Sequence, residues 1–338
     1  MSDRLAERTL IRRIRESTLP TADVLVGIGD DCAVLEPTAG RRLLATTDLL
    51  LEDIHFRRRY AEPADVGWKA LAVNLSDIAA MGGRPRWALV ALACPHDTTL
   101  DEVEAFYEGA RDLAGRHAVT IVGGDTTASP AGWLVNVTLL GEAASPVLRS
   151  GAGAGDVVAV TGPLGRSAAG LAILEPANAP ADIDVAALTD VTSAHLRPVP
   201  RVAEGQWLGA AGGVRAMIDL SDGLATDLAH IAEESGVHCR VEIERVPISP
   251  ACLEVARALG ADARAWATGG GEDYELLLTC DAGAFDRLND GLARATGTRL
   301  HAIGRVAGPG SGVSFVDAHG QELVAEAGFE HFVTGTRR

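Results

Sequence analysis

The stretch Trp68-Lys-Ala-Leu-Ala-Val-Asn-Leu-Ser-Asp-Ile-Ala-Ala-Met81 repeats apolar residues at a helical period, and Gly82-Gly83 then supplies a glycine stop. The next apolar stretch, Ala88 to Ala93, predicts a buried strand, and Leu100 to His117 predicts a second helix. Val119 to Val122 follows as a short strand. This order of elements predicts an α/β unit with βαβ connectivity.

The same alternation extends in both directions from this unit. Upstream, Arg42 to Thr47 predicts a buried strand that ends at Asp48, and downstream, Arg215 to Asp219 predicts a strand followed by a helix from Gly223 to Ser235. Between the halves, residues Glu142 to Gly155 are rich in Gly, Ala and Ser, as a domain junction would be. A chain of 338 residues is long for one core, so we expect two α/β domains, residues 1–145 and 146–338.

The apolar content is high but lacks any stretch that could span a bilayer. Hydrophobic residues make up 47% of the chain, yet the longest uninterrupted apolar run, Trp87 to Cys94, is far shorter than the roughly 18 residues that a membrane helix needs. The first residues are polar and charged and do not resemble a secretory signal. We therefore expect a cytoplasmic protein without a membrane segment.

The cysteines do not form a metal-binding or disulfide pattern. None of the five is spaced as CxxC, so we expect each to be a small core residue. They are Cys32, Cys94, Cys239, Cys252 and Cys280.

The formal net charge of −16 argues against a nucleic-acid partner, because such a protein needs a basic surface to displace counterions from phosphates. It also means that a small anionic ligand has to be bridged to the chain by cations. A Walker P-loop requires Gly-Lys followed by Ser or Thr, and Lys69, the only lysine, lies between Trp68 and Ala70. The lysine and His-Arg-Asp motifs of protein kinases are missing as well.

Aspartates next to glycines or at predicted strand ends supply oxygen ligands of the kind that Mg²⁺ prefers. A single Gly-Asp pair is typical of a turn or a helix cap, but several together favour a metal site, because carboxylates about 4 Å apart repel by roughly 4 kcal/mol at an effective dielectric near 20. Asp77 strengthens this interpretation, since it lies in an otherwise apolar helix. The aspartates concerned are Asp30, Asp31, Asp48, Asp77, Asp125, Asp219 and Asp222.

Two glycine-rich segments need separate interpretations. Gly151-Ala-Gly-Ala-Gly155 precedes a strand, whereas a phosphate-binding loop follows one, so we interpret it as a linker turn. Gly269-Gly-Gly-Glu-Asp273 precedes another strand-like segment, and its glycines could let the backbone approach a ligand that Glu272 and Asp273 contact.

Six segments together resemble the thiamine-monophosphate kinase family, in that family's order and over nearly the whole chain. The closing Gly328-Phe-Glu-His-Phe332 also resembles the family's C-terminal segment. The six are Gly27-Ile-Gly-Asp-Asp-Cys-Ala-Val34, Thr46-Thr-Asp48 with His55-Phe56, Ala72-Val-Asn-Leu-Ser-Asp-Ile-Ala-Ala-Met-Gly82, Gly123-Gly-Asp-Thr-Thr127, Asp219-Leu-Ser-Asp-Gly223 and Gly270-Gly-Glu-Asp-Tyr-Glu275.

The resemblance implies a two-domain fold like that of aminoimidazole ribonucleotide synthetase, with mixed sheets flanked by helices. It implies a homodimer whose N-terminal strands pair, a metal and ATP site in the N-terminal domain, and a C-terminal domain that completes the nucleotide and substrate sites. It assigns several Mg²⁺ ions to Asp30, Thr46, Thr47, Asp48, Asp77, Asp125, Asp219 and Asp222. It assigns ATP to Tyr107, Gly124, Asp125, Arg149 and Ser221, and thiamine monophosphate to His55, Glu272 and Phe329.

The implied reaction is direct in-line transfer of the γ-phosphoryl group of ATP to thiamine monophosphate, which gives thiamine diphosphate. The attacking phosphate oxygen is already largely deprotonated, with a pKa of roughly 6, so no protein nucleophile or base is expected. Catalysis would be electrostatic, through metal-bound Asp48, Asp77, Asp125 and Asp219. The alternatives are another ATP-dependent synthetase or kinase of the same superfamily, a metal-dependent phosphohydrolase and a binding module without turnover.

Overall fold

The computed structural model describes residues 7–18, 21–28, 32–175 and 182–323. Its internal contacts divide the chain into two compact units: unit 1 comprises residues 1–78 and 83–145, and unit 2 comprises residues 79–82 and 146–338. No helix within the described ranges is long and apolar enough to cross a membrane.

Unit 1 is an α/β sandwich built on a four-stranded sheet. The sheet has the order β3-β6-β4-β5, and a small antiparallel pair, β1-β2, accompanies it. Strands β4 and β5 are parallel and the other neighbours are antiparallel, so β4, α3 and β5 form the βαβ unit expected from the sequence. The elements are α1 (Glu7–Glu16), β1 (Val24–Val26), β2 (Val34–Leu35), β3 (Arg42–Leu51), α2 (Pro63–Ala80), β4 (Arg84–Cys94), α3 (Leu100–Arg116), β5 (Thr120–Ala128) and β6 (Leu134–Ala143).

Helices α2 and α3 approach each other closely because each has a glycine at the contact. A Cβ atom on Gly67 would overlap the carbonyl oxygen of Phe106, and one on Gly109 would overlap that of Ala64. A capping box at Thr99 and Glu102 fixes the start of α3. The glycine contacts therefore set the spacing of the helix layer that holds Asp77.

Unit 2 contains a seven-stranded mixed sheet of order β13-β12-β9-β11-β7-β10-β8, in which only β9 and β12 are parallel neighbours. Its elements are β7 (Val157–Val160), α4 (Arg166–Leu174), α5 (Val185–Leu196), α6 (Val202–Ala211), β8 (Val214–Asp219), α7 (Leu224–Ser235), β9 (Val237–Glu242), α8 (Pro250–Leu259), α9 (Ala263–Gly269), β10 (Leu276–Cys280), α10 (Phe285–Thr296), β11 (His301–Pro309), β12 (Val313–Val316) and β13 (Glu322–Leu323).

Two apolar clusters stabilise unit 2. One joins the sheet to α7 and includes Val158, Ile218, Leu228 and Leu277. The other lies among helices α4, α5, α8 and α9, where Val191 is fully buried. The predicted α/β class, with mixed sheets flanked by helices, is confirmed in both units.

The structure corrects several details of the sequence prediction. The predicted strand from Arg42 to Thr47 continues to Leu51, so Asp48 lies inside the strand, and alternate side chains of the strand are exposed. Likewise, β5 runs on to Ala128 and includes Asp125. Both strands are at the edges of the sheet, where many side chains are exposed. Their sequences therefore contain polar residues, and the apolar pattern that predicts a strand ends too early. Of the five cysteines, Cys32 is exposed and the other four are buried.

We expect Gly109→Ala to lower the free energy of unfolding by about 2–3 kcal/mol, because the added methyl group forces α2 and α3 apart. Chemical denaturation followed by circular dichroism measures this. Gly115→Ala is the matched control, since it lies on the same helix with no atom within 4 Å of the new Cβ. It should be neutral or stabilise by up to about 1 kcal/mol. Equal effects of the two substitutions would contradict the packing argument.

Candidate active site

In unit 2, Asp219 is the last residue of β8 and begins the loop Asp219-Leu-Ser-Asp-Gly223. Its side chain is buried, with 3% of the residue exposed. Gly223 has a φ of 114°, a conformation that favours glycine, and the loop turns there into helix α7. Of the predicted site aspartates within the described ranges, Asp48 and Asp125 lie inside strands, whereas Asp219 lies at the carboxyl end of its strand.

Asp227, in the first turn of α7, holds this loop in place. Its Oδ2 accepts hydrogen bonds from the backbone N–H groups of Asp222 (3.1 Å) and Gly223 (3.0 Å). Burial raises the pKa of Asp227 well above its usual value, and the charges of Asp219 and Asp222 raise it further. The structure therefore gathers three carboxylates around one turn.

The glycine run before β10 brings the segment 271–275 against the same loop. Ser221 O accepts from Glu272 N (2.8 Å), Leu220 O accepts from Tyr274 N (2.9 Å), and Glu275 O accepts from Leu220 N (2.9 Å). A Cβ atom on Gly271 would lie 2.6 Å from Ser221 O, so a larger residue would disturb this approach. Ser221, Asp222 and Glu272 are thereby neighbours, as a shared site requires.

The Glu272 side chain enters a buried polar network. Its Oε2 lies 3.4 Å from His195 Nδ1, and Ser167 Oγ lies 3.0 Å from the same nitrogen. All three residues are buried, and Glu272 adopts a positive φ of 66°. The strained backbone and the buried network fix the position of this carboxylate.

Asp273 caps helix α4 from a distance in sequence. Its Oδ2 accepts from Gly165 N (2.6 Å) and its Oδ1 accepts from Ser167 N (3.2 Å), at a helix start whose own N-cap, Gly165, has no side chain. Burial raises the pKa of Asp273 to about 7, and these two hydrogen bonds partly oppose that rise. Asp273 thus has a structural role at the start of α4, and the ligand contact suggested by the sequence stays a prediction.

In unit 1, helix α2 places Asp77 against strand β3, where Thr46 Oγ1 donates a hydrogen bond to Asp77 Oδ2. Asp77 is partly exposed, whereas every other residue from Leu71 to Ala80 is buried. One turn earlier on the helix, Asn74 is completely buried and its Oδ1 has no hydrogen-bond partner. Asn74 and Asp77 are three residues apart and therefore lie on the same face of the helix.

Thr47 and Asp48 follow on β3 and contact the neighbouring strand β6. Thr47 Oγ1 lies 3.0 Å from Thr138 Oγ1 and accepts a 3.0 Å hydrogen bond from Asn136 Nδ2. The same amide donates to the carbonyl oxygen of Asp48 (3.0 Å). The sheet thus holds the Thr46-Thr47-Asp48 segment along its whole length.

Asp125 lies on β5, at the opposite edge of this sheet. Strands β6 and β4 separate it from β3, so the distance across the sheet is about 14 Å, which is three strand spacings. Its side chain is exposed, and its Oδ1 accepts from Thr126 N (2.8 Å). Gly124 has a φ of 153°, and a Cβ there would overlap Val90 O. A single chain does not bring Asp125 to Thr47 and Asp48.

The remaining predicted residues lie in different settings. Tyr107 is buried in α3, where it lines a cavity of about 370 Å³ with residues of α1, and burial raises its pKa. His55 is partly buried in the turn after β3. Arg149 is exposed in unit 2, and its carbonyl oxygen accepts from Ser235 Oγ (3.3 Å). Asp30 and Phe329 fall outside the described residues.

The chemistry of the donors suits Mg²⁺ that is shared with phosphates. Among the residues that the structure describes, no three His, Cys, Asp or Glu side chains form a group able to hold a metal ion by themselves. Mg²⁺ usually takes only one or two carboxylates and completes its shell with water and substrate phosphates. Each unit separately offers donors of this kind. Unit 2 has the carboxylates around Asp222, and unit 1 has the buried Asn74 Oδ1, which has no hydrogen-bond partner.

Sequence and structure comparisons agree on the relatives of this chain. Residues 29–143 match the AIR synthase related protein N-terminal domain, and residues 153–317 match the corresponding C-terminal domain. Thiamine-monophosphate kinase of Bacillus subtilis strain 168 is 40% identical over 279 residues, which are 81% of this chain and 83% of that protein. The chain belongs to the thiamine-monophosphate kinase family. The resemblance and the AIR synthase-like fold predicted from the sequence are therefore confirmed.

Solved structures of thiamine-monophosphate kinases match more than nine tenths of the chain. The enzyme from Stenotrophomonas maltophilia K279a has a TM-score of 0.81 and 40% identity, and the match covers 93% of this chain and 98% of that one. AaThiL complexed with AMPPCP and TMP has a TM-score of 0.77 and 35% identity, covering 98% and 100%.

Some residues that organise the site in this kinase family member carry no strong sequence signal. Glu275 accepts two hydrogen bonds from Arg201 (2.8 and 2.5 Å) and one from Thr161 (2.6 Å), and so anchors the start of β10. The sequence does not single out Asp227 or His195 either, because an aspartate in the first turn of a helix is common and a lone histidine has many possible roles. The one sequence signal for Asp227 is that it follows two other aspartates, Asp219 and Asp222, within eight residues.

We expect Asp273→Asn to reduce the pH dependence of stability. The folded state raises the pKa of Asp273 to about 7, above the usual value near 4, so its contribution to stability is complete below about pH 4 and is lost as the pH rises through 7. Asparagine removes this proton but retains one acceptor oxygen for α4. Melting temperatures at pH 5.5 and pH 8.5 should therefore differ less in the variant than in the wild type.

Asp286→Asn is the control for that measurement, because it removes an exposed carboxyl from the first turn of α10 in the same unit. It should preserve the wild-type difference between the two melting temperatures. If Asp273→Asn also preserves that difference, the titration of Asp273 does not contribute to stability.

Proposed function

We propose that this protein transfers the γ-phosphoryl group of ATP to thiamine monophosphate and so forms thiamine diphosphate and ADP. The observation that carries the proposal is the 35% identity to AaThiL complexed with AMPPCP and TMP over 98% of this chain. The test incubates purified protein with ATP, Mg²⁺ and thiamine monophosphate and separates the products. Thiamine diphosphate with equimolar ADP is expected. Release of inorganic phosphate alone would indicate the rival hydrolase, and no turnover would indicate a binding module.

In the proposed site, the oxygen atoms of eight residues hold Mg²⁺. Asp48 and Asp77 in unit 1 and Asp219 in unit 2 are positioned by regular elements, which supports their assignment. When bound, Mg²⁺ supplies charge compensation between the phosphates of the two anionic substrates. The eight are Asp30, Thr46, Thr47, Asp48, Asp77, Asp125, Asp219 and Asp222.

The chain's own side chains would then bind and align the substrates. Arg149 is exposed and offers a forked donor to a phosphate of ATP, and the nucleotide also contacts Tyr107, Gly124, Asp125 and Ser221. His55, Glu272 and Phe329 contact thiamine monophosphate. The acceptor phosphate is the nucleophile, so alignment replaces proton transfer as the task of the protein.

We propose that the protein is a homodimer whose sheets pair through β3 and β5. The two strands are opposite edges of the unit 1 sheet, and long edge strands invite pairing with another chain. Leu43 and Leu49 on β3 and Leu89 on β4 are exposed apolar residues of the same sheet. Edge pairing would bring the partner subunit's Asp125 to Thr47 and Asp48, which removes the separation of about 14 Å within one chain.

We expect Asp48→Asn and Asp219→Asn each to lower kcat by at least about a hundredfold, because each removes a negative charge from a cation ligand. The circular dichroism spectrum should be unchanged. Exposed carboxyls provide matched controls: Asp97→Asn in unit 1 and Asp286→Asn in unit 2 should retain wild-type kcat. Near-normal activity of either ligand variant at saturating Mg²⁺ would contradict the assignment.

Mixing the inactive variants Asp48→Asn and Asp125→Asn tests the dimer. Random pairing makes half of the dimers heterodimers. If each site combines Asp48 of one protomer with Asp125 of the other, one of the two sites in a heterodimer has both wild-type residues. Denaturing and refolding the variants together should then restore about a quarter of wild-type activity. Refolding each variant alone should restore none. An inactive mixture in which differently tagged protomers co-purify would refute a shared site.

A further inference from the structure

Lys69 is the only lysine in the 338-residue chain, and its charge is buried in helix α2. Only 3% of the residue is exposed. Transferring an ammonium group out of water is costly unless its hydrogen-bonding capacity is satisfied. The single lysine of the chain thus lies where the transfer of its charge out of water is unfavourable.

The Lys69 ammonium is directed at the turn that carries His55. Its Nζ donates a hydrogen bond to the carbonyl oxygen of His55 (3.3 Å). The turn is otherwise held from the strand side, where Leu51 O accepts from Ile54 N (3.2 Å) and His55 N (2.9 Å). Within it, Asp53 adopts a positive φ of 66°, which aspartate tolerates better than most residues, and its N–H donates to Phe56 O (2.8 Å).

The imidazole of His55 takes part in the same turn. Leu51 N donates to His55 Nδ1 at 3.1 Å, so this ring nitrogen has to be an acceptor. In a neutral imidazole the proton then lies on Nε2. The contacts of the turn therefore select one of the two tautomers, the one that presents an N–H donor at Nε2.

We infer that Lys69 is a positioning residue, which holds the His55 carbonyl so that the imidazole keeps the Nε2–H tautomer and donates to the acceptor substrate. The inference rests on the proposed function for the identity of that substrate, thiamine monophosphate. A lysine suits this position because its ammonium donates to the His55 carbonyl oxygen from within the helix, whereas the planar fork of arginine is adapted to paired acceptors. Loss of the ammonium removes this hydrogen bond and weakens the support of the turn.

Nuclear magnetic resonance of histidine tests the tautomer without reference to activity. Full-length protein labelled with [¹⁵N]histidine is compared with His55→Gln, which identifies the His55 signals among those of nine histidines. The wild-type protein at pH 7.5 should show a protonated Nε2 and an unprotonated Nδ1. Lys69→Met, which preserves the side-chain length without charge, should show a mixture of tautomers. A wild-type His55 that carries its proton on Nδ1 would overturn the inference without any variant.

Steady-state kinetics test the consequence for the substrate. Lys69→Met should raise KM for thiamine monophosphate about tenfold and leave KM for ATP within about twofold of wild type. Lys69→Arg retains a charged donor, so its KM for thiamine monophosphate should lie between those of the wild type and Lys69→Met. Asp97→Asn is the control in unit 1, because it changes an exposed carboxyl outside the proposed site, and it should behave as wild type.

The two hypotheses fail in different ways. If wild-type protein forms no thiamine diphosphate, the proposed function is refuted, while the histidine spectra still decide the role of Lys69. If wild-type protein is active but Lys69→Met leaves the His55 signals unchanged, or raises both KM values equally, the positioning role is refuted. If Lys69→Met does not fold, the wild-type His55 tautomer and the KM of Lys69→Arg for thiamine monophosphate decide whether Lys69 has the positioning role.

Discussion

Repulsion among carboxylates is the constraint on which the arrangement of this chain depends. Asp219, Asp222 and Asp227 surround one turn of unit 2, and burial together with the charges of the other two raises the pKa of Asp227. Concentrating negative charge destabilises a fold unless protons, backbone N–H groups or cations offset it. The turn offsets part of this charge with the backbone N–H groups of Asp222 and Gly223, which donate to Asp227. In the proposed site, Mg²⁺ would offset the charge of Asp219 and Asp222.

Glycine makes this concentration of charge geometrically possible. Gly271 lets the backbone of the segment 271–275 approach Ser221, and Gly223 turns the chain into α7. In unit 1, Gly67 and Gly109 bring α2 and α3 together and so fix the helix that carries both Asp77 and Lys69. Binding groups thus lie on elements whose spacing is set by backbone contact, which limits their freedom to move apart.

The same helix connects two kinds of polar contact. Asp77 accepts a hydrogen bond from Thr46 on β3, and Lys69 donates one to the turn that follows β3. One helix therefore braces the strand at the proposed cation ligands and again at the proposed substrate contact. Asp77 and Lys69, two of the three charged residues of this helix, are thus each hydrogen-bonded to a segment that belongs to the proposed site.

The sequence by itself determined the α/β class and the family, and it supplied the residues of the proposed site, because apolar periodicity and short motifs are local properties of the chain. It also indicated that Asp77 has a special role, since an aspartate inside an apolar helix conflicts with its local surroundings. Only the tertiary structure revealed the roles of Asp227 and Glu275, whose partners depend on chain packing. It also placed Asp48 and Asp125 on opposite edges of one sheet, because strand order follows from long-range pairing that no local pattern encodes.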